Sequence, residues 1–145
     1  EMTKSPRYST VTAWHRDLRY WSFETPRLVN AWLALGDETP ANGCMRLLPA
    51  TQHMQLDPKR LDSDQFLRED REDNAELIDT AITAEMAPGD ALFFDAGLFH
   101  AAGANTSDER KLSVVTTYYG PDNAPTPNSR SARLEPIAVR TSAHA

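Results

Sequence analysis

Pro88-Gly89-Asp90-Ala91-Leu92-Phe93-Phe94-Asp95-Ala96-Gly97-Leu98-Phe99-His100 is the stretch on which the reading of the fold turns. Its opening triplet is turn chemistry: proline presets φ, and glycine reaches backbone conformations closed to other residues. The apolar, aromatic run that follows is too short for a typical helix and suits a pleated surface, so residues 91–95 are predicted as a strand. Working outward, residues 8–14, 28–35, 44–48 and 112–119 have the same β-branched and aromatic character. Turn signals separate them: Glu24-Thr25-Pro26, Thr39-Pro40-Ala41-Asn42-Gly43 and Gly120-Pro121-Asp122-Asn123. Several short strands punctuated in this way, with no internal repeat, predict an all-β sandwich or barrel.

The composition is that of one soluble domain covering residues 1–145. The chain is 40% hydrophobic and 25% charged, with 15 basic and 21 acidic side chains and a formal net charge of -6. A chain of this length buries roughly 68–70% of its unfolded surface, so no covalent staple is required. The single cysteine, Cys44, excludes an intrachain disulfide and a cysteine-based zinc site, and fits a reducing, cytoplasmic setting. The longest uncharged apolar stretches, such as residues 28–35, fall far short of the roughly 20 residues of a membrane helix. The polar start carries no export signal, and the acidic balance argues against a nucleic-acid partner.

The charge is concentrated in one place. Residues 62–79 hold eight acidic and two basic side chains, so this segment accounts for the whole net charge. Free of Gly and Pro, with apolar pairs at Phe66/Leu67 and Leu77/Ile78, residues 62–80 are expected to form an acidic helical insertion over the core. Its reading is a solvated face or, alternatively, a ligand-sensing lid. Residues 121–145, with Pro121, Pro125, Pro127 and Pro136, are expected to form an extended C-terminal tail.

His15 and Asp17 stand two residues apart at the end of the strand predicted for 8–14. If the extended backbone continues through them, their side chains share a face. Two histidines and one carboxylate can occupy one face of an octahedral metal and leave the other positions open, and His100 at the end of another strand is the candidate third ligand. His-x-Asp alone is a weak signal. Downstream of His100, Arg110 precedes the strand predicted for 112–119, and its planar fork suits a carboxylate, so Arg110 is the expected partner of a dicarboxylate bound to the metal. Lys111 is the less favoured partner, because adjacent strand residues face opposite ways.

Taken together, several blocks resemble the phytanoyl-CoA dioxygenase family of Fe(II)/2-oxoglutarate oxygenases. They are Trp14-His15-Arg16-Asp17, Ala31-Trp32-Leu33-Ala34-Leu35 leading into Thr39-Pro40-Ala41-Asn42-Gly43-Cys44-Met45, Pro88 through Phe94, and His100 through Arg110. They occur in the family's order over residues 12–119. The resemblance implies a double-stranded β-helix, a cupin-type jelly roll. It matches His15, Asp17 and His100 to the iron ligands, Arg110 to the arginine that binds the distal carboxylate of 2-oxoglutarate, and Trp32 to a tryptophan lining the co-substrate pocket. Plain core packing is the alternative for Trp32. Asn42-Gly43 matches a tight structural turn.

There are departures from the family pattern. Pro49-Ala50-Thr51-Gln52-His53 stands where Pro-Gly-Ser-His is usual, which takes His53 out of the site, and Ala102 replaces a small hydroxyl residue. The loop from His100 to Arg110 is one residue shorter than expected. Family members also carry helices and strands ahead of the His-x-Asp strand that this chain is expected to lack. The activity implied is that of a dioxygenase using Fe(II), 2-oxoglutarate and O₂, hydroxylating a small-molecule substrate and forming succinate and CO₂. Asp17 argues against a halogenase, in which that carboxylate is replaced. A non-catalytic or differently acting metal-binding cupin-type domain is the alternative. Arg19, Tyr20, Trp21, Arg46 and Tyr119 are candidates for the pocket wall.

Overall fold

The computed structural model describes residues 2–7 and 9–139. Tyr8, in the first predicted strand, and residues 140–145, at the end of the predicted tail, lie outside them. The strands are β1 (Met2–Lys4), β2 (Thr12–His15), β3 (Leu28–Ala34), β4 (Met45–Leu47), β5 (Ile82–Ala84), β6 (Ala91–Asp95), β7 (His100–Ala102) and β8 (Lys111–Tyr119), with one α-helix, α1 (Glu72–Ile78). They form two antiparallel four-stranded sheets, ordered β1-β8-β3-β6 and β2-β7-β4-β5. This is the jelly roll anticipated from the sequence.

Strand alternation explains the packing between the sheets. On β3, Leu28, Asn30, Trp32 and Ala34 are buried while Val29 and Leu33 face outward. β3 pairs β6 with Asn30 opposite Phe94 and Trp32 opposite Leu92, and it pairs β8 with Asn30 opposite Thr117 and Trp32 opposite Val115. Trp32, Met45, Leu47 and Phe94 therefore meet between the sheets, with Leu92, Leu98 and Val115 against them.

A second apolar cluster lies on the other side of the β2-β7-β4-β5 sheet. There Trp14, Phe99 and Ala101 alternate with His15 and His100, and they pack with Leu48 and Leu61 and with Leu67, Leu77 and Ile78 of the acidic segment. The segment is thus anchored more firmly than its charge suggests, since burying one Leu side chain contributes about 1.5–3 kcal/mol. Its helix is also shorter than the expected 62–80, being confined to Glu72–Ile78. Upstream, the Asp62 carboxylate accepts from the backbone N–H groups of Asp64 and Phe66, both at 2.9 Å, and Gln65 has φ of 64°. Such local bonds compete with helix formation. Asn74, fully buried, ties the segment down by accepting from Arg60 Nε at 2.7 Å and donating to the carbonyls of Arg60 and Arg68, both at 2.8 Å.

The tail folds back on the barrel. Buried Asn123 accepts from the Thr25 N–H at 3.0 Å and donates to the carbonyls of Thr25 and Arg27, and the Ser131 hydroxyl accepts from the Ser22 N–H at 2.9 Å. The turn at Asn42-Gly43 is tight for a definite reason. Gly43 sits at φ 78°, and a Cβ there would lie 2.3 Å from the Gly103 carbonyl oxygen. Gly43→Ala is expected to cost at least about 1–2 kcal/mol, the left-handed penalty alone, read as a lowered urea midpoint with unchanged slope.

Candidate metal centre

β2 and β7 are neighbours, with His15 directly opposite His100, so the two imidazoles enter the barrel side by side, ring centroids 4.4 Å apart. Asp17 is no longer in β2; it opens a 3-10 turn, Asp17–Tyr20. Arg16 between them is extended, at φ -111° and ψ 137°, so the alternation of faces persists and the carboxylate returns to the side of His15. Arg16 itself points the other way. Its guanidinium donates to the carbonyls of Thr51 and Met54, each at 2.7 Å, and stacks on Phe99 at 4.3 Å, which clamps the turn to the loop from Pro49 to Met54.

Each histidine is oriented by its own strand. His15 Nδ1 lies 2.8 Å from the Ala13 carbonyl and His100 Nδ1 lies 3.0 Å from that of Leu98. A carbonyl only accepts, so both rings carry their proton on Nδ1 and leave the Nε2 lone pair free. Both Nε2 atoms converge on Asp17 Oδ1, at 3.3 Å from His15 and 3.5 Å from His100. The three ligand atoms all lie within 4.8 Å of one another. The other oxygen, Asp17 Oδ2, accepts from the Asn30 amide at 2.7 Å, and Asn30 Oδ1 in turn accepts from the Thr117 hydroxyl at 2.8 Å. Asn30 is fully buried. Phe94 stands edge-on to His100 at 5.1 Å, and Tyr20 and Phe66 stand edge-on to His15 at 6.0 and 5.7 Å.

The electrostatics suit a cation. Burial opposes ionisation of Asp17, but the hydrogen bond and charge that His15 and His100 offer when protonated, together with the Asn30 amide, outweigh it and hold the carboxyl below its ordinary range. Burial pushes His100 down, against the opposing pull of Asp17. An ionised carboxylate beside a neutral imidazole is the state in which these groups bind a metal.

The triad opens onto a cavity of about 800 Å³. Trp32 and Met45 line its interior and Tyr20, Trp21, Arg130, Ser131 and Leu134 line other parts of its wall, and Lys4, Lys111 and Thr117 project into it from β1 and β8. Trp32 therefore faces the cavity, its indole N–H donating to Glu38 Oε1 at 2.6 Å. Arg110 does not. It is exposed, one residue ahead of β8, whereas Lys111 is buried with Ser113 on the inward face. The expected placement of Arg110 inside and Lys111 outside is thus reversed, because a shift of one residue on a strand exchanges its faces. Of the other wall candidates, Tyr20 and Trp21 line the cavity. Arg19 stacks on Phe66, Arg46 on Trp14, and Tyr119 packs against Phe23. His53 is exposed.

Asn30, Glu38, Lys4 and Lys111 are the site residues that sequence reasoning missed or set aside. For Lys111 a signal existed: Val115 and Thr117 share its parity on the strand.

Comparison with known proteins agrees with this geometry. The family profile for phytanoyl-CoA dioxygenase matches residues 1–113. The chain belongs to the phytanoyl-CoA dioxygenase family. A probable phytanoyl-CoA dioxygenase of Caenorhabditis elegans is 30% identical over 112 residues, covering 74% of this chain and 36% of the relative. The L-proline trans-4-hydroxylase of Streptomyces griseoviridis is 25% identical over 132 residues, covering 77% and 49%. Among solved structures, the epimerase SnoN in complex with Fe3+, alpha ketoglutarate and nogalamycin RO superposes with a TM-score of 0.72 at 27% identity, covering 94% of this chain and 56% of SnoN. EvdO2 from Micromonospora carbonacea var. aurantiaca, complexed with 2-oxoglutarate, gives 0.58 at 25% identity, covering 86% and 53%. The chain spans about half, or less, of the length of these relatives. Among the described residues, no helix is long and apolar enough to cross a membrane.

Proposed function

We propose that this chain carries the catalytic barrel of an Fe(II)/2-oxoglutarate-dependent dioxygenase that hydroxylates a small molecule. The observation that carries the reading is the convergence of two Nε2 atoms and one carboxylate oxygen at the wall of the cavity. That donor set fits a divalent iron that keeps open positions. His15, Asp17 and His100 would hold the metal. When bound, iron with 2-oxoglutarate and O₂ supplies the oxidising power, with decarboxylation of the co-substrate to succinate and CO₂ and transfer of one oxygen atom to a C–H bond.

The chain's own residues do the rest. The Ala13 and Leu98 carbonyls hold the two imidazoles in one tautomer, and Asn30, itself held by Thr117, fixes the rotation of the Asp17 carboxylate; partners of this kind orient metal ligands. Trp32, Met45 and Val115 make the cavity wall apolar and exclude water around the reacting groups. Besides Arg130, the cations lining the cavity are Lys4 and Lys111, paired on β1 and β8, which makes that end the place for the distal carboxylate of 2-oxoglutarate. A cavity of about 800 Å³ leaves room for a small substrate beside the co-substrate, entering past Tyr20, Trp21 and Arg130. Relatives named for proline hydroxylation and for nogalamycin chemistry support a small-molecule substrate.

The test is to load the protein anaerobically with Fe(II) and 2-oxoglutarate, admit O₂ with and without a metabolite panel, and measure succinate. O₂-dependent succinate above that of Asp17→Ala is expected, and output equal to that variant's would defeat the proposal.

A further inference from the structure

The pocket's inner end holds two lysines and one glutamate, and their pairing is unequal. Lys111 Nζ donates to Glu38 Oε2 at 2.9 Å and lies 4.9 Å above the Trp32 ring. Glu38 Oε1 accepts from Trp32 Nε1 and Ser113 Oγ, both at 2.6 Å. The two charged side chains are 2% and 0% exposed, so Lys111 is matched inside the fold by a carboxylate whose oxygens are all engaged. To a ligand, that pair is close to neutral.

Lys4 has no such match. β1 pairs β8 with Lys4 directly opposite Lys111, which places both side chains on the cavity face. Like charges directly opposite each other in a sheet are destabilising, and Glu38 relieves only one of them. The Lys4 ammonium donates to the Thr10 carbonyl at 2.7 Å and the Thr12 hydroxyl at 3.5 Å, both neutral acceptors. Among the described residues no carboxylate pairs with it. Burial, and then the charge of Lys111, push its pKa below the ordinary lysine value, as for a cation that lacks an anion.

We infer that Lys4 is the residue that balances the distal carboxylate of 2-oxoglutarate, and that Glu38 is a positioning residue that holds Lys111 as a neutral pair beneath it. This rests on the proposed function. The formal charges support it. Two lysines and Glu38 leave one positive charge at the inner end, and a divalent metal with Asp17 leaves one at the other, which together match a dianion spanning the two.

The experiment measures anaerobic affinity of the Fe(II)-loaded protein for 2-oxoglutarate, and for 2-oxovalerate as a probe without the distal carboxylate, by calorimetry. Lys4→Met is expected to weaken 2-oxoglutarate by about 10- to 100-fold, the range for a lost hydrogen bond between charged groups, and to leave 2-oxovalerate within a few-fold. Lys4→Arg is expected to retain most of the 2-oxoglutarate affinity. The double variant Glu38→Gln/Lys111→Met, which removes the pair without leaving a bare charge, is expected to stay near wild type. Unchanged 2-oxoglutarate affinity in Lys4→Met, or equal losses for both ligands, overturns the assignment of Lys4. A selective loss in the double variant as large as that in Lys4→Met returns the role to Lys111. Wild-type protein that holds Fe(II) but binds neither ligand overturns the proposed function, and this inference with it. Should the double variant fail to fold, the comparison of Lys4→Met with Lys4→Arg on the two ligands decides.

Discussion

Asp17→Ala is expected to abolish 2-oxoglutarate-coupled turnover, with a drop of at least about 100-fold, while the barrel stays folded. Removing a group that merely orients a metal ligand typically costs 10- to 100-fold, so removing a ligand sets that as a floor. Asp17 Oδ1 is the atom on which both imidazole Nε2 atoms converge. Without it, two neutral histidines face the cavity with no formal charge to hold a divalent ion. The fold should tolerate the change, because Asp17 contributes no apolar surface to either core cluster and its backbone belongs to a 3-10 turn. Its one cost in the barrel is at Asn30, whose amide loses an acceptor. Iron affinity, measured alongside circular dichroism and succinate formation, separates the two effects. A variant that holds iron and makes succinate as wild type does would remove Asp17 from the site.

The strands that could be read from the chain are those with patterns of their own. β3, β6 and β8 carry runs of β-branched and aromatic residues, and alternation within them suffices to place Trp32 and Phe94 inward. β1, β5 and β7 are three residues each, and His100-Ala101-Ala102 has no β-forming character; such strands exist because a neighbour's backbone offers a ladder, which is not a local property. The juxtaposition of His15 and Asp17 was legible because it depends only on extended backbone over three residues. Asn30 was not, because its importance comes from Asp17 in the 3-10 turn after β2 and Thr117 on a neighbouring strand. Glu38, just ahead of the turn at residues 39–43, has no pattern that marks it, and only the return of β8 shows why it is buried. The exchange of Arg110 and Lys111 has another cause. Side-chain chemistry favoured arginine, but the strand's parity decides which face a residue occupies, and parity can be counted from the apolar positions downstream.

That exchange gives the largest expected effect on stability. Lys111→Met is expected to destabilise the protein by about 3–5 kcal/mol, since it leaves the Glu38 carboxylate charged and buried without its cation. Against the 5–15 kcal/mol that usually separates folded from unfolded domains, this is a large fraction. Methionine preserves most of the side-chain volume, so the loss reports the charge and not a cavity. Adding Glu38→Gln should recover much of it, because the pair is then removed as a unit and the Trp32 and Ser113 donors keep a carbonyl oxygen to share. Arg110→Ala, one residue earlier and exposed, should change stability by no more than about 0.5 kcal/mol. The measurement is urea unfolding of the four proteins at one pH, compared at constant slope. A loss in Lys111→Met no larger than that in Arg110→Ala would mean that the Lys111–Glu38 ion pair does not hold in the folded barrel. The inner end of the cavity would then carry two uncompensated lysines in place of one, and Lys111 would be free to share the distal carboxylate with Lys4.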